Sequence, residues 1–245
     1  MATTTPFQAP ISDAVPLAAI RVSGADADTF LQGQLTQDLR KLDSSSPLLA
    51  GYCSPKGRLL AVMQLARDAD GVLLHVHGSV ADAVLKRLRM HVLRSKVTLE
   101  LTPAPALTPE QDQAWRLQQI RAGVPVIYRE TQDEFVPQMV NLDHLGAISF
   151  DKGCYTGQEI VARLHYLGQL KRRMFRSHAA ATSVTPGTPV HVAGEAQAVG
   201  MVVDAARDGD GCALSVVLQL AHAASAALHL ADTARTPLAA PSAYF

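Results

Sequence analysis

One stretch of the 245-residue chain concentrates residue types that do chemistry: Ser149-Phe150-Asp151-Lys152-Gly153-Cys154-Tyr155-Thr156-Gly157-Gln158-Glu159. A cysteine near a cation has a raised thiolate fraction, and a thiolate is both a nucleophile and a ligand for soft metals. Lys152 supplies that cation beside Cys154. Thr156 and Glu159 have the spacing of a helix capping box, which predicts that Cys154 and Tyr155 lie just ahead of a helix start. Backbone N–H groups at such a start favour negative charge and act in the same sense as the lysine. Gly153 and Gly157 remove side chains on either side, so a ligand or another backbone can approach closely. The same letters also fit a small buried hydrophobe beside turn glycines. Spacing alone leaves both readings open.

The elements that must position this segment are read from hydrophobic period and turn chemistry. Residues 17–22 read as a strand ended by Gly24, and a helix over 25–35 turns Phe30, Leu31 and Leu35 inward. Residues 48–53 are extended and lead into the turn Ser54-Pro55-Lys56-Gly57. Strands over 58–67 and 72–76 flank Asp68-Ala69-Asp70-Gly71, a hairpin signal. Ser79 and Asp82 mark a helix start, Val84, Leu85, Leu88, Val92 and Leu93 recur at helical spacing, and 96–101 closes as a strand. The order β-α-β-β-α-β over residues 1–101 is that of a ferredoxin-like unit. A proline-rich linker over 102–109 precedes a helix over 110–122, stopped at Gly123 and Pro125; with the cysteine segment these form a central part, 102–170. Short strands over 172–178, 189–192, 198–203 and 212–220, punctuated by glycine turns, predict a small antiparallel β-barrel in a C-terminal domain, 171–245. The fold class expected is α+β.

Composition removes several classes of function. With 22 Lys+Arg against 22 Asp+Glu, the zero formal charge argues against direct tRNA contact held by bulk electrostatics. Two basic runs, Lys86-Arg87-x-Arg89 with Arg94 and Lys96, and Lys171-Arg172-Arg173, read first as solvated faces. No apolar run approaches the ~18–20 residues of a membrane span. The stretch 1–6 lacks the basic and apolar regions of a secretory leader, and three scattered cysteines make no disulfide framework, so a cytoplasmic location is expected. His75 and His77 share a strand face, yet no third ligand lies near them in sequence and no metal site is expected.

The run Lys152 to Glu159, K-G-C-Y-T-G-Q-E, resembles the signature of the YgfZ folate-binding family, relatives of the glycine-cleavage T-protein aminomethyltransferase. Phe30-Leu31-Gln32-Gly33-Gln34-Leu35-Thr36-Gln37-Asp38, Tyr52-Cys53-Ser54-Pro55-Lys56-Gly57-Arg58 and Phe135-Val136-Pro137-Gln138 are similar to further family segments, in family order. The resemblance implies a ring of T-protein-like subdomains that binds tetrahydrofolate or another reduced folate. It also implies a helper in iron–sulfur cluster assembly or repair, with iron–sulfur assembly or client proteins as partners and an indirect effect on tRNA modification. Cys154 falls on the signature cysteine, with transient iron–sulfur ligation as one role, and Trp115 on a tryptophan associated with the folate site. Folate chemistry fits such residues: Trp115 offers a stacking face, Arg116 and Arg121 cations for the glutamate tail, and Gln138, Asn141 and Gln158 amides for the pterin edge. The alternative is a folate-dependent aminomethyl or one-carbon transferase. The resemblance places that chemistry on a carboxylate after the early glycine turn, and Lys56-Gly57-Arg58-Leu59-Leu60-Ala61 has none. The middle segment is also short relative to longer relatives.

Overall fold

The computed structural model describes residues 15–225 and 227–245; the stretch 1–6 read above for a leader lies outside them. The chain forms two compact units. The first comprises residues up to 107 with 127–137 and 142–167, and the second 108–126, 138–141 and 168–245. The stretch 102–170 is thus divided between the two.

In the first unit β1 (Leu17–Ser23), β2 (Leu48–Cys53), β3 (Leu59–Asp68), β4 (Gly71–His77) and β5 (Thr98–Thr102) form an antiparallel sheet in the order β2-β3-β4-β1-β5. Period-two alternation decides which face is dry: Ala18, Ile20 and Val22 of β1 and Val72, Leu74 and Val76 of β4 are all buried. α1 (Ala27–Gln32) and α2 (Gly78–Val92) contribute Phe30, Leu31, Val80, Val84 and Leu88 to the same core. The strand order corrects the expected β-α-β-β-α-β to β-α-β-β-β-α-β, because 48–53 is a full edge strand paired to β3. A second correction concerns the start of α2. His77, not Ser79, caps it: the imidazole Nδ1 accepts the Ser79 N–H and sits 2.8 Å from the Ser79 hydroxyl. The β3–β4 hairpin holds as expected, its Asp68 carboxylate taking the Asp70 and Gly71 N–H groups and the Arg21 guanidinium.

The second unit is a six-stranded antiparallel sheet in the order β10-β7-β8-β9-β6-β11, with β6 (Arg172–Ala179), β7 (Pro189–Val192), β8 (Gly200–Asp208), β9 (Gly211–Gln219), β10 (Leu228–Leu230) and β11 (Ser242–Ala243). Residues 236–239 pair on one side with β10 and on the other with β6: Leu238 N–H donates to Leu228 O, and Ala239 N–H to His178 O. That segment joins the two sides of the sheet. α3 (Pro109–Ala122) begins with a full capping box, Thr108 with Gln111, and ends at Gly123 in the left-handed region, φ 72°. Leu117 and Ile120 pack it on Ala206 of β8 and Ala213 of β9.

The polar clamp on α3 is Arg116, whose Nε and Nη2 both reach Oδ1 of the buried Asp204, at 2.8 and 2.6 Å. A buried carboxylate stripped of its cation is costly, whereas an exposed ion pair contributes little. Arg116→Ala, which leaves the Asp204 carboxylate buried without its cation, is therefore expected to lower stability by about 3 kcal/mol, seen as a lower urea midpoint. Arg121→Ala, which breaks only the exposed pair with Asp208, should leave the midpoint in place.

Candidate functional site

α1 is short and ends at Gly33, which leaves carbonyls at its C-terminus and in the following turn without helical donors. Lys152 fills that need. Its buried ammonium donates to Gln32 O, Leu35 O and Gln37 O at 2.7, 2.6 and 2.8 Å, and lies 5.2 Å from the Tyr155 ring centroid. Burial lowers its pKa from 10.5 to about 8, against the pull of the Asp38 carboxylate, so the group is protonated at neutral pH as three carbonyl acceptors require. Buried side chains of the same turn extend the stitching. Thr36 Oγ1 donates to Ala147 O and accepts from Gly51 N, while Gln37 Nε2 donates to Gly146 O and Leu49 O. Ser149 N–H reaches Thr36 O at 2.9 Å. The approach to the cysteine segment is thereby tied to both α1 and β2.

The far end of the segment is fixed by glycines. β2 ends in a register shift between Tyr52 and Cys53, after which the turn 54–57 folds back, Gly57 N–H on Ser54 O at 2.9 Å. Gly157, at φ 82°, lies directly on this turn: a Cβ there would collide with Ser54 O and come within 2.9 Å of Gly57 Cα. Gly57 in turn faces Ile160 of α4 (Gln158–Tyr166). The close approach expected of Gly157 is thus an approach of backbone. The capping box read from Thr156 and Glu159 does not form. Gly157 occupies the cap position without a side-chain bond, because its left-handed backbone ends the preceding turn there; Thr156 N–H goes to Gly33 O. Gln158 Oε1 accepts instead from Tyr155 N, and Glu159 is exposed in the first turn.

Between these anchors Gly153 and Cys154 are exposed, and nothing lies within 4 Å of where a Gly153 Cβ would stand. Lys152 and Tyr155 on either side are buried. The lysine charge is directed into the fold, and α4 begins at Gln158, four positions after the cysteine. The other cysteines are buried. Desolvation, with the Asp133 charge, pushes Cys53 up to about 12, and burial raises Cys212. Sequence reasoning missed Asp133, which stands at the 54–57 turn and accepts the Ser54 hydroxyl at 2.6 Å. A carboxylate thus reaches the turn from another part of the chain. No local pattern announces a partner 79 positions away.

Several of the residues expected to hold folate have partners within the chain. Trp115 is half-buried on α3, roughly 140° around the helix from the sheet-facing Ile120. Asn141 is buried with both ends of its amide in use, Nδ2 on Met174 O and Oδ1 accepting from Arg173. Arg121 pairs with Asp208, Arg116 with Asp204, and Gln138 is buried. Of the groups proposed for a pterin edge and tail, Asn141, Arg116 and Arg121 are thus bonded within the second unit, and Gln158 within the first. Among the described residues no three His, Cys, Asp or Glu side chains are grouped to hold a metal ion. His77 serves α2 and meets the Tyr128 ring edge-on at 4.6 Å.

No family model matches the chain. An uncharacterized protein of Haemophilus influenzae is 34% identical over 192 aligned residues, covering 64% of this chain and 69% of that protein. The tRNA-modifying protein YgfZ of Enterobacter sp. strain 638 and that of Escherichia coli O157:H7 are each 29% identical over 218 aligned residues, 63% of this chain and 67% of theirs. In fold, the chain is similar to glycine cleavage system aminomethyltransferase T from Bartonella henselae, with a TM-score of 0.67, 93% of this chain and 83% of that one covered, and 12% identity.

Two outcomes follow for the platform. Gly157→Ala meets both a left-handed backbone and a backbone collision, so a loss of about 2 kcal/mol or more is expected in urea unfolding, while Gly153→Ala should be silent. Lys152→Met leaves buried carbonyls without donors and should cost at least about 2 kcal/mol at pH 7. Because the folded pKa of Lys152 lies below its unfolded value, the folded chain releases this proton first. Wild-type stability relative to Lys152→Met should then rise between pH 8 and 10.5 and be flat below that window.

Proposed function

The chain belongs to the YgfZ family, and on that premise we propose that it is a helper protein in iron–sulfur cluster assembly or repair, with tetrahydrofolate as its ligand. The observation that carries this reading is the exposed Cys154 on a segment anchored from below at both ends. A thiol so held meets a partner's metal or thiol without first having to be ordered. Cys154 lends one thiolate to a cluster in transit, giving its proton to solvent, and the remaining ligands come from the partner. The effect on tRNA modification, the activity named for the relatives, runs through iron–sulfur enzymes that this chain supports in the cytoplasm. Trp115 is the residue that supports a folate contact; a reduced pterin stacked on it supplies one-carbon or redox chemistry when bound.

A second reading, a folate-dependent aminomethyl transferase, is favoured by one observation: Asp133 brings a carboxylate to the turn where the sequence has none. One set of measurements separates the two. In cells lacking their own homologue, the wild-type chain is expected to restore iron–sulfur-dependent tRNA modification and Cys154→Ser to restore little of it. Purified protein titrated anaerobically with tetrahydrofolate should show saturable quenching of Trp115 that is insensitive to salt. Full rescue by Cys154→Ser overturns the thiol's role. Turnover of tetrahydrofolate with an aminomethyl donor, lost in Asp133→Asn, establishes the transferase instead.

A further inference from the structure

The outer face of α2 and the turn after it carry a surface that the cysteine segment does not use. Packing of Val80, Val84 and Leu88 on the first sheet leaves Lys86, Arg89, Met90 and Leu93 together on the outside, at spacings of i, i+3, i+4 and i+7. Met90 is 59% exposed and Leu93 89%. Leu93 also closes the helix at φ 45°, ψ −106°, a backbone region that costs a leucine about 1–3 kcal/mol. Arg94 and Lys96 extend the positive surface past the helix end, and Arg89 is steadied by a 3.2 Å bond to Leu99 O. Two acids border this face: Asp82 lies one turn before Lys86 on α2, and Asp26 takes the Lys96 backbone N–H at 2.7 Å.

Beside Leu93 opens a solvent-open groove of about 900 Å³, with Asp26, Phe30 and Gln34 on one side and His91 and Arg94 on the other. Gly33 is part of the same wall, and its carbonyl receives Thr156 N–H from the cysteine segment. Chemistry selects the occupant. A nucleic acid would use the cations and gain nothing by covering Met90 and Leu93; an apolar surface would leave the cations without counter-charge. Carboxylates set around a projecting apolar side chain answer both needs.

We infer that this face docks an acidic partner protein, which places an apolar side chain against Met90 and Leu93 at the groove and its carboxylates on Lys86, Arg89, Arg94 and Lys96. The inference goes beyond the role of Cys154 and stands without it. The test uses the full chain carrying a photocrosslinking residue in place of Met90, expressed in the organism that encodes it, with Ser44 as the control position. The crosslinked protein is identified, purified and titrated against wild-type chain. The expected result is an acidic protein, crosslinked from position 90 and not 44, whose Kd rises about tenfold or more both for Leu93→Ser and for Lys86→Glu with Arg94→Glu. Unchanged thermal unfolding of these surface variants shows that the loss is one of docking. No adduct, a nuclease-sensitive adduct, an adduct with a second copy of this chain, or a Kd that ignores Leu93→Ser overturns the inference.

Discussion

The local structure around the cysteine depends on one buried ammonium. A short helix that ends inside a fold must find donors for its last carbonyls, and here the N–H of the capping Gly33 turns to Phe30 O and Leu31 O, short of Gln32 O. Lys152 reaches them from a segment more than a hundred positions away. A lysine suits the task better than an arginine, since its three N–H bonds diverge from a single compact centre toward three carbonyls, whereas a guanidinium presents a planar fork. Burying the charge is costly, and the cost is offset by the three carbonyl dipoles and by the nearby Asp38 carboxylate, itself held well below its ordinary pKa by Arg40.

That ammonium changes how the cysteine is to be understood. A cation next to a cysteine in sequence reads naturally as an activator of the thiol, but a charge engaged by three carbonyls has been drawn into the fold. The lysine orders the segment, the Gly157–Gly57 contact clamps its far end, and Cys154 is left exposed between them. Position is what the fold supplies to this thiol.

Regular elements were legible because their physics is local. Alternation marked β1, β3 and β4, the Asp-Gly turn marked their hairpin, and 48–53 was read as extended though its weight as a strand was missed; an edge strand beside a turn carries a weaker pattern than a central one. Caps misled twice, for different reasons. Thr156 with Glu159 has the letters of a capping box, but the box needs an extended backbone ahead of the helix, and Gly157 at φ 82° denies it. His77 caps α2 with an imidazole nitrogen, a group outside the usual capping set. The long-range pairs, Lys152 with the 32–37 carbonyls and Asp133 with Ser54 in the first unit and Arg116 with Asp204 in the second, join residues so far apart in the chain that no window of sequence contains both. The hydrogen-bonding capacity of Asn141, Arg116 and Arg121 is likewise legible in the sequence, and the partners that they take within the fold are not.

α1 links the two surfaces of the first unit. Its C-terminal carbonyls receive Lys152 and, through Gly33, Thr156, while Phe30, Gly33 and Gln34 face the groove beside α2. A helix of six residues has too few internal bonds to be rigid by itself; it is held by what packs against it. The α2 face and the Cys154 segment therefore both rest on one short stretch of chain, residues 30–37.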